Sequence, residues 1–179
     1  YAVLVPDLYY RSGAYGPFDA KTAWGNEESG NQIRAMMTAT TQEFTRADTR
    51  FFIDALTEAG AGGIGTVGYC MGGARALNAA AGYPDRIRAA ASFHGGNLAS
   101  DAPDSPHRSA ADIKARVYVG CAGVDVSFPP EQSARLAEAL VQARPPKGAA
   151  VDDALDALAA LIVAREIAAG RGRPLPACW

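Results

Sequence analysis

Disulfide and zinc patterns are both missing from this chain of 179 residues. Its three cysteines, Cys70, Cys121 and Cys178, are odd in number and widely spaced, with no C-x-x-C, and the histidines number two, His94 and His107. Neither a disulfide framework nor a metal site is indicated by that set, and no cofactor is implied. No stretch approaches the roughly 18 apolar residues of a membrane span, and the N-terminus lacks the charged and then apolar segments of a secretory signal. A cytoplasmic protein is the expectation. Lys and Arg number 17 against 19 Asp and Glu, a net charge of −2 with no basic block, so nothing addresses nucleic acid or an anionic membrane. Small molecules are the partners to expect.

What is present is organised around Gly68-Tyr69-Cys70-Met71-Gly72-Gly73. Ahead of it runs a short β-branched stretch, Gly63 to Val67, and behind it Ala74 to Ala81, made of strong helix formers. The G-x-C-x-G-G pattern is the cysteine form of a nucleophile elbow, a sharp strand-to-helix turn carrying the reactive side chain. Gly68, Gly72 and Gly73 are expected to be glycine because backbone segments approach too closely for a β-carbon. Cys70 would sit at a helix N-terminus, where the dipole favours thiolate, and the Met71 amide could donate to an oxyanion. The hexapeptide also reads as a glycine-rich turn around an inert, buried thiol.

Elsewhere, residues 2–6 read as a buried strand, and Arg11 to Asn31 as a long covering loop. Thr40 with Glu43 suggests a capping box for a helix whose apolar positions are Phe44, Ala47, Phe51, Ala55, Leu56 and Ala59, ended by Gly60. Further strands are expected over Ala89 to Phe93 and Arg116 to Ala122, separated by a polar loop from Asn97 to Asp112, and Pro130 opens a last helix through Leu140. Strands alternating with helices imply an α/β protein with a doubly wound, mostly parallel sheet. In such sheets ligands bind beyond the carboxyl ends of the strands, where Asp7, Cys70, His94 and Asp125 all fall. The Ala/Arg/Pro-rich tail, 144–179, holds one candidate amphipathic helix (Val151, Leu155, Leu158, Ile162, Ile167) and no strand signal.

Four blocks carry a resemblance: Tyr1 to Tyr9, Gly68 to Gly73, Ser92-Phe-His-Gly-Gly96, and Gly123-Val-Asp125 with Phe128-Pro-Pro130. In this order and spacing they resemble the dienelactone hydrolase family of the α/β-hydrolase fold, over residues 1–143. The resemblance implies hydrolysis of a small lactone or ester by a cysteine, aspartate and histidine triad. Cys70 matches the nucleophile, Asp125 the acid that orients histidine, and Met71 the residue whose N–H forms half of the oxyanion hole. The family's histidine stands in a His-Gly-Phe block after one more strand, and this sequence has no such block. The family's two strands ahead of Tyr1, with an acidic residue and the second oxyanion amide, are absent as well. The expectation is therefore an incomplete α/β-hydrolase-like sheet in a partial product, its start missing and its frame changed after about Gln142.

The remaining candidates have local readings. In the resemblance His94 packs beneath the site, and His107 reads as a surface residue of the polar loop. Asp7 is expected to bind a nearby loop amide, and Asp125 also reads as an Asx turn. Arg11, Arg34 and Arg75 are candidates to receive a substrate carboxylate. Cys121, inside an expected strand, and Cys178 are read as structural or incidental. Two other functions compete: an inactive α/β-hydrolase-like or binding domain, and a class I glutamine amidotransferase, which needs a histidine and glutamate near the C-terminus where no histidine follows His107.

Overall fold

Alternating β-branched and alanine-rich runs put three strands and four α-helices into the computed structural model, which describes residues 2–143. The chain parts into two compact units, residues 1–61 and the remainder from Gly62. The candidate amphipathic helix and Cys178 fall outside the described residues.

In the first unit, Tyr10–Ser12 forms one 3-10 turn, followed by α1 (Glu27–Ala39) and α2 (Gln42–Glu58). The expected strand over residues 2–6 does not form: these residues belong to no sheet, and Val3 and Val5 are exposed. A strand exists only as part of a ladder, and no described strand pairs with this one. Helix α1 occupies residues that read as loop or carried no assignment. Its polar composition hides it, although Asn26 caps it by accepting from Ser29 N–H at 3.0 Å. The cap of α2 is Thr41, accepting from Phe44 N–H, one residue beyond the expected Thr40. Gly60, at φ 86, follows its last turn.

The face α2 buries is not the apolar stripe. Phe44 and Phe51 are exposed, and Thr45, Asp48, Thr49 and Ile53 are buried instead. The threonine hydroxyls donate to carbonyls one turn back, and Asp48 is bound by Arg11 and by the Tyr10 hydroxyl. Buried polar groups are tolerated when satisfied. Asp7 accepts from Tyr9 N–H at 2.9 Å, the local turn expected of it.

The second unit holds β1 (Ile64–Tyr69), α3 (Met71–Gly82), β2 (Ile87–Phe93), a 3-10 segment (Pro106–Asp112), β3 (Arg116–Gly120) and α4 (Pro130–Gln142). The strands form a parallel sheet in the order β1-β2-β3. Cys121 therefore lies just past a strand end rather than inside it. Helix α3 packs on one face and is buried from Gly73 to Ala80. Its alanines allow a close approach, and Thr66 on β1 donates its hydroxyl to Ala76 O at 3.1 Å. Leu77, Ile87 and Leu98 are fully buried. The opposite face carries a run of rings, Tyr69 on Phe93 at 5.1 Å and Phe93 on Tyr118 at 5.3 Å, with Val67 beside them. Among the described residues no helix is long and apolar enough to cross a membrane.

Candidate active site

Cys70 follows the last residue of β1 and precedes the first of α3, and its backbone is left-handed, φ 50 and ψ −122. A non-glycine residue there costs about 1–3 kcal/mol and persists only where its surroundings impose it. The imposing contacts are visible. A β-carbon on Gly68 would collide with the Gly72 carbonyl, and one on Gly73 would collide with Ser92 Oγ and come within 2.8 Å of Gly95 Cα. Gly95 presses on the same Ser92. The strand, the helix start and the loop after β2 thus meet through glycine. Gly72 departs from the expectation, since its β-carbon would meet nothing within 4 Å. What the turn needs there is the carbonyl that Gly68 approaches.

The ladder with β2 runs past β1 into the turn: Cys70 N–H donates to Phe93 O at 3.0 Å. Cys70 is exposed rather than buried in the core. Met71, as the first residue of α3, contributes its amide to the helix N-terminus. Its carbonyl accepts from Arg75 Nη1 at 3.3 Å, and Arg75 is buried. The other candidate arginines have local partners in the first unit: Arg11 binds Asp48, and Arg34 donates to Asn31 Oδ1 at 2.8 Å.

His94 follows β2 with a left-handed backbone, φ 41, and its N–H donates to Gly120 O at 2.8 Å. It is exposed rather than packed beneath the site, with its ring 6.2 Å from that of Tyr69. Asp125 lies in the loop after β3 and makes the Asx turn: its Oδ1 accepts from Ser127 N–H at 2.8 Å and from the Ser127 hydroxyl at 2.6 Å. The Ser127 hydroxyl, with the backbone amides of Ser127 and Phe128 and the charge of His94, holds this carboxyl below the usual aspartate range. The turn does not stand apart from the rim. Asn97 N–H donates to Ser127 O at 2.6 Å, and Gly96 lies so close that a β-carbon would meet Ser127 Oγ at 2.6 Å.

Cys70, Met71, His94 and Asp125 therefore share one rim of the second unit, at the carboxyl ends of β1, β2 and β3. Asp7 belongs to the other unit. His107 is half-buried, bonded to Ser105 Oγ at 3.0 Å, and burial pushes its pKa down with help from Arg108 and Arg135. Sequence reasoning missed Ser127 and Asn97, which tie the rim together; the Asp-x-Ser spacing of Asp125 and Ser127 was the available signal. Val124 and Val126, flanking Asp125, are each 95% exposed and give the rim apolar surface.

A family model described as the dienelactone hydrolase family matches residues 1–149. Comparison with curated proteins and with solved structures gives no match.

Proposed function

The chain belongs to the dienelactone hydrolase family, and from that premise we propose that it cleaves a small lactone or carboxylic ester with Cys70 as nucleophile. Sulfur adds to the ester carbonyl, and the oxyanion is met by the Met71 amide at the N-terminus of α3, where the helix dipole favours negative charge. Expulsion of the alcohol leaves a thioester, which water hydrolyses to the acid. Asp125, kept anionic by Ser127, is the acid that orients an imidazole in this scheme. The exposed valines beside it suit a substrate with apolar carbon near the scissile bond.

The observation that carries the reading is the backbone of Cys70. A strained cysteine, held exposed at a helix start by Gly68, Gly73, Ser92 and Gly95, is a costly arrangement that an inert structural thiol does not require. Replacing Cys70 with alanine is expected to lower turnover of an activated ester such as p-nitrophenyl acetate by about 1,000-fold or more. Turnover at the original rate would remove Cys70 from the reaction.

A further inference from the structure

The sequence contains two histidines, and their surroundings differ. His107 is tied to Ser105 and ringed by Arg108, Arg135 and Asp101. His94 stands on the central strand's end, between the strand that delivers Cys70 and the strand that delivers Asp125. Tyr69 pairs with Phe93 and Phe93 with Gly120. The bonds from Cys70 N–H to Phe93 O and from His94 N–H to Gly120 O extend both ladders past those pairs. Cys70 and His94 are thus lateral neighbours, about one strand spacing of 4.8 Å apart in backbone. On the far side the loop after β3 brings in Asp125, and the charge of His94 is among the causes that lower that carboxyl. His94 is exposed, with a left-handed backbone at φ 41 that histidine adopts more readily than most side chains.

We propose that His94 is the imidazole of this chain's own site, acting on Cys70 from the neighbouring strand end with Asp125 on its other side. The inference rests on the reading of Cys70 as the nucleophile of an ester or lactone hydrolase. His94 accepts the proton of the Cys70 thiol, and the thiolate adds to the carbonyl carbon. When the C–O bond breaks, the imidazolium returns that proton to the departing alkoxide, giving an alcohol and a thioester. Water then adds to the thioester carbonyl as it yields a proton to His94. The C–S bond breaks, the sulfur regains a proton from the imidazolium, and the acid leaves. Overall, one ester and one water give one acid and one alcohol. The titratable groups recorded against His94 are Tyr69, by ring contact, and Asp125, by charge, and strand register puts Cys70 and Cys121 at the neighbouring strand ends. The resulting site is built from three adjacent strand ends.

His94→Asn removes the imidazole and keeps a side chain that tolerates the left-handed backbone, and Cys70→Ala is the control. Two readouts are taken on the intact chain: the rate of Cys70 alkylation by iodoacetamide at about pH 7, and steady-state hydrolysis of p-nitrophenyl acetate with and without added imidazole. For the unaltered chain, Cys70 is expected to alkylate faster than a free cysteine. In His94→Asn that advantage disappears, and kcat falls by ~100-fold or more with KM little changed. Added imidazole restores part of the lost turnover, which a merely structural role would not permit. Alkylation of the unaltered chain no faster than that of free cysteine overturns the inference. So does a His94→Asn variant that matches it in both readouts; in that case the assignment of Cys70 stands, provided Cys70→Ala is inactive. Retained hydrolysis in Cys70→Ala removes the nucleophile assignment itself, and this inference with it.

Discussion

At the scale of single residues, the elbow separates glycines that look alike in sequence. Gly68 and Gly73 are fixed by neighbours that cannot move aside, since Gly68 faces main chain and Gly73 faces both main chain and the buried Ser92. Gly72 faces open space and lies inside a helix. Gly72→Ala is therefore expected to be neutral or stabilising by up to about 1 kcal/mol, because alanine has the higher helix propensity. Alanine at Gly68 or Gly73 is expected to cost about 1–3 kcal/mol or more through overpacking. Denaturant unfolding of the three variants checks this, and an equal penalty at all three would contradict it. The motif made Cys70 and Asp125 legible as candidates from sequence. The exposure of His94 and its left-handed backbone were not legible, because no residue pattern announces either. The idle space at Gly72 was hidden for a similar reason: a glycine's letter does not say which of its contacts matters.

At the scale of elements, composition, punctuation by glycine and proline, and the helical spacing in α2 located β1, α2, α3, β2, β3 and α4 to within a few residues. That spacing misjudged which side of α2 is buried. The apolar stripe predicts Phe44 and Phe51 inside, yet the buried side is polar and is closed by hydrogen bonds and ion pairing around Asp48. Hydropathy cannot foresee that arrangement, since it depends on Arg11 arriving from 37 residues away. The Arg11 guanidinium also stacks over the rings of Tyr10 and Phe44. Arg11 pulls the Asp48 carboxyl below its ordinary range. Asp48→Ala is expected to loosen the Tyr10–Ser12 turn. The cost is about 1–2 kcal/mol, the lower part of the range for bonds to charged groups because Arg11 is partly exposed. Faster amide exchange at Ser12 and Gly13, whose N–H groups close that turn, reads the effect; unchanged exchange would show that Asp48 does not hold it.

At the scale of the whole molecule, the ionisable groups give a pH window for stability. Asp48, Asp85 and Asp125 are held below the aspartate value of 3.8, so their contribution is complete above it and is lost as pH falls through their folded values. His107 is lowered from 6.5 by burial, so its contribution too is present above 6.5 and declines on acidification. On the alkaline side Cys121 is raised from 9.0, chiefly by burial, and its contribution is lost as pH climbs past that value. Thermal unfolding followed against pH is expected to show a plateau between about 6.5 and 9.0 with a two-stage acid decline. A maximum below pH 5 would contradict these assignments. The α/β class was legible in sequence because alternating strand and helix signals admit few topologies. The strand expected at residues 2–6 was not realised, since a short continuous apolar run specifies a willing strand and says nothing of the partner it needs.

The central claim is that Cys70 forms the acyl bond. The most direct measurement is a rapid acid quench of the chain mixed with p-nitrophenyl acetate, followed by peptide mass mapping of the acetyl group. The account requires one acetyl group on the peptide bearing Cys70, appearing with the first turnover and absent from Cys70→Ala. An acetyl group appearing first on Cys121, Cys178 or a lysine, with Cys70 unmodified, would contradict it.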